Sequence, residues 1–442
     1  MQRSRWAFYE VDLIDCCKVE EGGMHDFHYV GNELYCEDVS VSTIADSVGT
    51  PFYLYSNHTL ENHFRVFDSA FKGIDHLTCF SVKANSNLAV LKLIINLGGG
   101  VDIVSGGELF RALKAGVDPR KVVFSGVGKQ VHELEYALKT GILMFNVESS
   151  QELDSLNTVA GRLGMKAPIA IRVNPHIDPQ THPYISTGLK KNKFGIEIQQ
   201  ALEDYRAAQK LEHIEIVGVD CHIGSQITET GPFVEALGKV KALVSALRAE
   251  NIQIRSIDLG GGLGITYDQE QPPRPEDYAA ALIKEMGDMD CRLILEPGRV
   301  IAGNAGILVT RVVYIKEGTE KTFVTVDAAM NDLVRPSLYG SFQAVQPVIK
   351  EQKEEMVADI VGPICESGDF LAKDRTISRL DPSDLIAVMS SGAYGFTMAS
   401  NYNSRPRVPE VIVKGDAFFV IRERERYEDL IRGEHIPEFL KR

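Results

Sequence analysis

The stretch LTCFSVKANSNLAVLKLIINLGGGVDIVS, residues 77–105, contains one full structural period. An apolar run ends on Lys83 and gives way to small polar residues, Ala84 to Asn87. LAVLKLIIN then carries apolar residues at three-to-four spacing, and beyond the glycines a second apolar run ends on Ser105. Such a change of hydrophobic period reads as strand, helix, strand. Lys83 therefore closes a strand, and two roles are open to it. Its stem can cover apolar surface while its ammonium reaches water. Alternatively its amine, partly desolvated, loses proton affinity and attacks a carbonyl carbon.

The same period recurs on both sides. PFYLYS (51–56), KVVFSG (121–126), LMFNVES (143–149), APIAIRVNP (167–175), IVGVDCHIGS (216–225), SIDLGGG (256–262) and RLILEPGR (292–299) read as strands. Helical segments such as GGELFRALKAG (106–116) and PFVEALGKVKALVSALRAE (232–250) separate them. Apolar strands joined by helices predict a parallel sheet, and eight or nine units over about 250 residues predict its closure into a (β/α)₈ barrel like that of triosephosphate isomerase. An open doubly wound sheet is the alternative. In a closed barrel the strand ends share one rim. Lys83, Asp102, Ser105, Ser125, Asn146, Glu148, Arg172, Asn174, His222, Ser225, Gly260 to Gly262, Glu296 and Arg299 would then converge on a single pocket.

Beyond residue 305 the texture changes. ILVTRVVYIKEG (307–318), KTFVTVDAA (321–329), EEMVADIVGP (354–363), DLIAVMSSGAY (384–394) and EVIVKGDAFFVI (410–421) are strands with little helix between them. FHYVGNELYCEDV (27–39) has the same character. The expected organisation is an N-terminal segment (1–46) that packs with the β domain, a barrel (47–305), and a C-terminal β barrel or sandwich (306–442).

Composition narrows the class. The chain has 442 residues, 44% hydrophobic and 24% charged, with no run long enough to cross a bilayer. A formal charge of −14 argues against nucleic acid as partner, since phosphate binding needs a basic face. The 7 cysteines include no C-x-x-C pair, so neither a disulfide framework nor a zinc site is indicated, and no metal is expected. No secretion signal is read in MQRSRWAFYEVDLIDCC, and with free thiols the expected location is the cytoplasm.

Taken singly, the remaining motifs have two readings each. GGGLG (260–264) fails the dinucleotide fingerprint because its last glycine would fall on Ile265; it is either a plain turn or a backbone cradle for phosphate. In HIGSQ, His222 is a satisfied core histidine or a plate above a flat cofactor. In EPGR, Glu296 and Arg299 pair with each other, or one binds a pyridine nitrogen and the other a carboxylate. Cys365 in CESGD is an inert thiol by default, and RPSLYG and GAYG are irregular loops of the kind that carry function.

Together and in this order, FSVKANSN, GGGVDIVSGGEL, NPHIDPQTHPYISTGLKKNKFGI, HIGSQI, DLGGGLGI, EPGR, RPSLYG, CESGD and GAYG are diagnostic. From about residue 27 to 430 the chain resembles the diaminopimelate decarboxylase family of fold type III pyridoxal-phosphate enzymes. THPYISTGLKKNKFGI and CESGD set that family apart from its ornithine and arginine decarboxylase relatives. The resemblance implies that Lys83 holds pyridoxal 5′-phosphate covalently, with Asp102 beside it, His222 stacked on the ring and Glu296 at the ring nitrogen. Ser225, Gly260, Gly261, Gly262, the turn of Pro297, Gly298 and Arg299, and Tyr394 would hold the phosphate. Arg299, Arg335, Tyr339, Glu366 and Tyr394 would bind substrate, and Cys365 would donate a proton, with the CESGD loop reaching the other subunit of a homodimer. One departure stands out: Ser341, Phe342 and Gln343 follow RPSLYG where the family often has a small residue, an aromatic and histidine.

The implied reaction is decarboxylation of meso-2,6-diaminopimelate to L-lysine. The far end of that substrate carries both an amine and a carboxylate, a double demand that Arg299, Arg335 and Glu366 together meet. Ornithine, arginine or a carboxypolyamine is the alternative substrate.

Overall fold

A computed structural model of the chain describes residues 25–177 and 193–441. Most of THPYISTGLKKNKFGI, and Cys16 and Cys17, lie outside the described residues. Eight strands form the expected ring: β1 (His76–Ser81), β2 (Gly100–Ile103), β3 (Val122–Phe124), β4 (Met144–Val147), β5 (Ala167–Asn174), β6 (Ile214–Asp220), β7 (Ser256–Asp258) and β8 (Arg292–Leu295). Each pairs in parallel with the next, and β8 pairs with β1, so the sheet closes. The open-sheet alternative is excluded.

Local chemistry explains the helices between them. Asn87 accepts a hydrogen bond from the Ala89 N–H and starts the helix Leu88–Asn96. Ser105 and Ser149 cap Gly106–Ala115 and Ser150–Leu163 in the same way, each with a glutamate in the first turn. Gly116 ends Gly106–Ala115 at φ 89°, a left-handed conformation that glycine adopts without strain.

Strand alternation then builds the interior. Cys79, Val123, Met144, Ala170, Val217 and Ile294 form one apolar cluster at the lower end of the ring. Two residues further along each strand the inner face turns polar: Ser81, Ser125, Asn146, Arg172 and Glu296, joined by Asp102 and Asp258. All are buried. A closed ring thus has an oily floor and a polar ceiling, and the ceiling faces the rim where the strands end.

PFYLYS departs from the barrel expectation. Phe52–Ser56 lies between Gly306–Glu317 and Glu410–Lys414 in a second, nine-stranded sheet, buried throughout its length. Its unbroken apolar character suits a central strand of either sheet, and only pairing distinguishes them. The main path of that sheet is Phe370–Ser378, Glu355–Val361, Thr322–Val326, Gly306–Glu317, Phe52–Ser56, Glu410–Lys414, Ala417–Arg422, and off it Leu385–Val388 pairs with Gly306–Glu317 and Val345–Pro347 with Leu385–Val388. Phe27–Val30, Glu33–Cys36 and Val39–Ser40 form a small sheet of their own, tied to the second sheet by the Leu34 N–H to Val348 carbonyl bond (2.7 Å). Phe27, Leu34, Val41 and Ile44 share a core with Phe52, Leu54, Ile307 and Val411.

The small polar residues after Lys83 lock the two parts together. Asn85 Nδ2 donates to the Gly392 carbonyl (3.1 Å), and the Tyr394 N–H donates to the Ala84 carbonyl (2.8 Å). Asn87 Nδ2 donates to Glu410 Oε2 (2.9 Å), whose other oxygen accepts from Tyr55 Oη (2.8 Å). The second domain thereby holds the Lys83 loop in place.

Candidate active site

A cavity of about 180 Å³ opens at the polar rim, lined by Lys83, His222, Ser225, Gly260 to Gly262, Glu296 to Arg299, Arg335, Tyr339 and Tyr394. Groups far apart in sequence meet there. Asp102 lies just beneath, fully buried, with its Oδ2 2.5 Å from Lys83 Nζ and 3.0 Å from Ser81 Oγ. Ser105 flanks Lys83 on the opposite side, in a second, more open cleft.

The Lys83 amine is not depleted of protons. Burial works to lower its affinity, but Asp102, then Glu296 and Tyr394, outweigh burial and raise it above the ordinary lysine value. Asp102 thus offsets the desolvation that would otherwise make the amine weakly basic. Lys83 is an ammonium paired with a carboxylate, its side chain 38% exposed toward the cavity.

Glu296 is held the other way. Burial, with Asp102 and Asp258 nearby, pushes its carboxyl well above the glutamate range against the pull of Lys83 and Arg172. Burial, helped by Arg172 and Lys83, keeps His222 well below the ordinary histidine value, so the imidazole is neutral. A neutral ring can lie against a cationic heterocycle without repulsion, and a proton-rich glutamate can share its proton with a ring nitrogen.

Pairing of Glu296 with Arg299 is not observed among the described residues. Arg299 instead donates to Tyr267 Oη (2.5 Å) and Ser225 Oγ (3.2 Å), and its guanidinium lies 5.0 Å from the Tyr394 ring centroid. Arg335 sits 5.4 Å from the Tyr339 ring and 5.7 Å from that of Tyr267. Both arginines are buried, neither has an acidic partner among the described residues, and the Nε of each lacks an acceptor. Two buried guanidiniums, supported by aromatic faces and in Arg299 by two hydroxyls but by no carboxylate among the described residues, form an anion site. Tyr394 itself is held at φ 57°, an uncommon conformation for an aromatic residue.

The glycine turn leaves no room for side chains. A Cβ on Gly261 would stand 2.2 Å from the Glu296 carbonyl, and one on Gly260 would stand 2.6 Å from His222 Nδ1. Bare backbone at Gly261 and Gly262 therefore borders the cavity, whereas the Gly260 N–H already donates to Asp258 Oδ1 (2.9 Å). A phosphate cradle, a pair of buried guanidiniums, an amine and a proton-rich carboxyl around one cavity fit pyridoxal phosphate.

Cys365 and Glu366 are not brought to this cavity within the chain. Both are exposed on the loop between Glu355–Val361 and Phe370–Ser378, where the Cys365 N–H donates to Asn403 Oδ1 (2.9 Å) and Tyr402 Oη donates to Glu366 Oε2 (3.4 Å). At the departure after RPSLYG, Arg375 lies 3.5 Å from the Phe342 ring centroid, and Gln343 is fully buried with neither amide atom hydrogen-bonded among the described residues. Tyr267 was not anticipated. Its only sequence signal is an aromatic residue shortly after the glycine turn, which fits many loops equally well.

The model of the pyridoxal-dependent decarboxylase family, pyridoxal binding domain, matches residues 57–303, the barrel and its flanking helices. Diaminopimelate decarboxylase of Vibrio cholerae is 52% identical over 399 residues, covering 90% of this chain and 95% of that protein. That of Pseudomonas aeruginosa is 52% identical over 413 residues, covering 93% and 99%. The structure of diaminopimelate decarboxylase from Helicobacter pylori, complexed with L-lysine, superposes with a TM-score of 0.86 at 46% identity, over 88% of this chain and 98% of that one. The chain thus belongs to the pyridoxal-dependent decarboxylases and, within them, to the diaminopimelate decarboxylase family.

Proposed function

We propose that this protein is a carboxy-lyase that uses pyridoxal phosphate to convert meso-2,6-diaminopimelate to L-lysine and carbon dioxide, the last step of lysine biosynthesis. The observation that carries the reading is the meeting of Lys83, Glu296 and two buried guanidiniums on one cavity. The names of the relatives at about half identity support it, as does L-lysine in the Helicobacter pylori structure.

In this reading Lys83 would hold the cofactor through Nζ, with Asp102 Oδ2 beside it at 2.5 Å. Gly261, Gly262, Ser225 and the Pro297–Gly298 turn surround the phosphate, with Tyr394 closing over it. His222 would pack against the ring, and Glu296 would face its nitrogen. Bound there, pyridoxal phosphate supplies an electron sink for the pair left on Cα when the bond to the carboxylate breaks and carbon dioxide departs. Arg299 and Arg335 grip the far carboxylate of the substrate through their planar donor faces. Cys365 Sγ delivers a proton to Cα, and Glu366 meets the far ammonium. Because both stand away from the cavity of their own chain, the working unit is a homodimer whose loops exchange. The free thiols Cys36, Cys79, Cys221, Cys291 and Cys365 accord with a cytoplasmic location. No helix among the described residues is long and apolar enough to cross a membrane.

Turnover of meso-diaminopimelate against ornithine and arginine, with products identified by mass, tests the substrate. Diaminopimelate is expected to be preferred by several orders of magnitude; greater activity on ornithine overturns the proposal. A second expectation concerns the cradle. Gly261→Ala forces the backbone away from Glu296, and since overpacking costs about 1–3 kcal/mol, cofactor retention in an equilibrium titration should weaken by about tenfold or more.

A further inference from the structure

Glu296 ends a buried chain of hydrogen bonds that none of these roles uses. Ser125 Oγ, just past β3, donates to Glu296 Oε1 (3.2 Å). Asn146 Nδ2, on β4, donates to Ser125 Oγ (3.0 Å) and to Asp258 Oδ2 on β7 (3.1 Å). Asp258 Oδ1 in turn accepts the Gly260 N–H at 2.9 Å. Four neighbouring or facing strand ends are thereby connected, from the glycine turn to the carboxyl that faces the cavity. Asn146 and Asp258 are fully buried and Ser125 nearly so.

The chain has one direction. The Asn146 nitrogen faces Asp258 Oδ2, and with the amide reversed two oxygens would meet whenever that carboxyl is ionised. Ser125 then accepts from Asn146, and its only proton is left for Glu296.

We propose that Ser125 and Asn146 are positioning residues for the decarboxylation: they pin one oxygen of Glu296, leave the other for the cofactor's ring nitrogen, and bias the shared proton toward that nitrogen. The inference rests on the reading of the cavity as a pyridoxal-phosphate site. A donated hydrogen bond favours the charged form of a carboxyl. The rest of the surroundings acts in both directions: burial, Asp102 on β2 and Asp258 on β7 raise the proton affinity of Glu296, while Lys83 and Arg172 lower it. Removing the Ser125 donor tips that balance and draws the proton from the ring to Glu296. A neutral pyridine is the weaker electron sink, so the chemical step slows while substrate binding, which depends on Arg299 and Arg335, does not.

The test is a nitrogen NMR measurement on holoenzyme loaded with ring-¹⁵N pyridoxal phosphate. In Ser125→Ala the ring resonance is expected to move toward the unprotonated position, with kcat about tenfold lower or more and KM for meso-diaminopimelate unchanged within roughly twofold. Ser125→Thr, which keeps the hydroxyl, should restore the parent resonance. A loaded Ser125→Ala protein whose resonance stays at the parent position overturns the inference, whatever its stability, and leaves the proposed function standing. A parent protein that takes up no cofactor overturns both. Should Ser125→Ala fail to fold, Asn146→Ser decides: it is too short to reach both Ser125 and Asp258, so a shift in the same direction supports the chain and an unmoved resonance refutes it.

Discussion

Lys83→Ala is expected to abolish covalent attachment of pyridoxal phosphate and to lower kcat/KM by at least about a thousandfold, the scale on which loss of a covalent nucleophile acts. The reason is geometric. Lys83 is the lysine that lines the cavity with Glu296 and His222, and its loop is fixed by Asn85, Asn87 and the Tyr394 N–H. No neighbouring side chain replaces its reach. The fold should survive, because the Lys83 side chain is 38% exposed toward the cavity. Asp102 would lose its ion pair but keep the hydrogen bond from Ser81 Oγ (3.0 Å). Absorbance of the cofactor after gel filtration and a circular dichroism spectrum separate the two effects. Retained covalent cofactor in Lys83→Ala contradicts the assignment.

The second large effect concerns Cys365. Cys365→Ala should bind cofactor as the parent does, because the thiol is remote from the phosphate cradle of its own chain, but turnover should fall by about 10²- to 10⁴-fold, the range of a lost general acid. Mixed with Lys83→Ala protein, the variant offers a further reading. If the loops exchange between subunits, a heterodimer of the two variants contains one site with both Lys83 and Cys365 intact, and activity returns. If each chain uses its own cysteine, every site in the mixture is defective and none returns. Full activity of Cys365→Ala alone would remove it from the donor role.

Much of this was legible in the residues because a parallel barrel writes its rim at regular intervals. Each apolar run ended on a polar group, and alternation by two carried Ser125, Asn146, Arg172 and Glu296 inward together. What could not be read depended on pairing across long separations. PFYLYS has the composition of a buried strand in either sheet, and its place between Gly306–Glu317 and Glu410–Lys414 follows from partners some 250 residues or more away in sequence. The charge state of Lys83 depends on a partner in the same way: burial alone lowers a lysine, but Asp102 on the neighbouring strand reverses the sign. Tyr267 was missed because an aromatic residue in a loop carries no periodic mark. Asn85 and Asn87 read only as small polar residues, and nothing local marks that they bind Gly392 and Glu410 of the second domain.

Borohydride reduction of the protein in the presence of pyridoxal phosphate, followed by digestion and mass spectrometry, addresses the site most directly. A stable pyridoxyl group on the peptide that carries Lys83, at one per chain and discharged when meso-diaminopimelate is added before the reductant, is the predicted result. Modification of a different lysine, or of none, would contradict it.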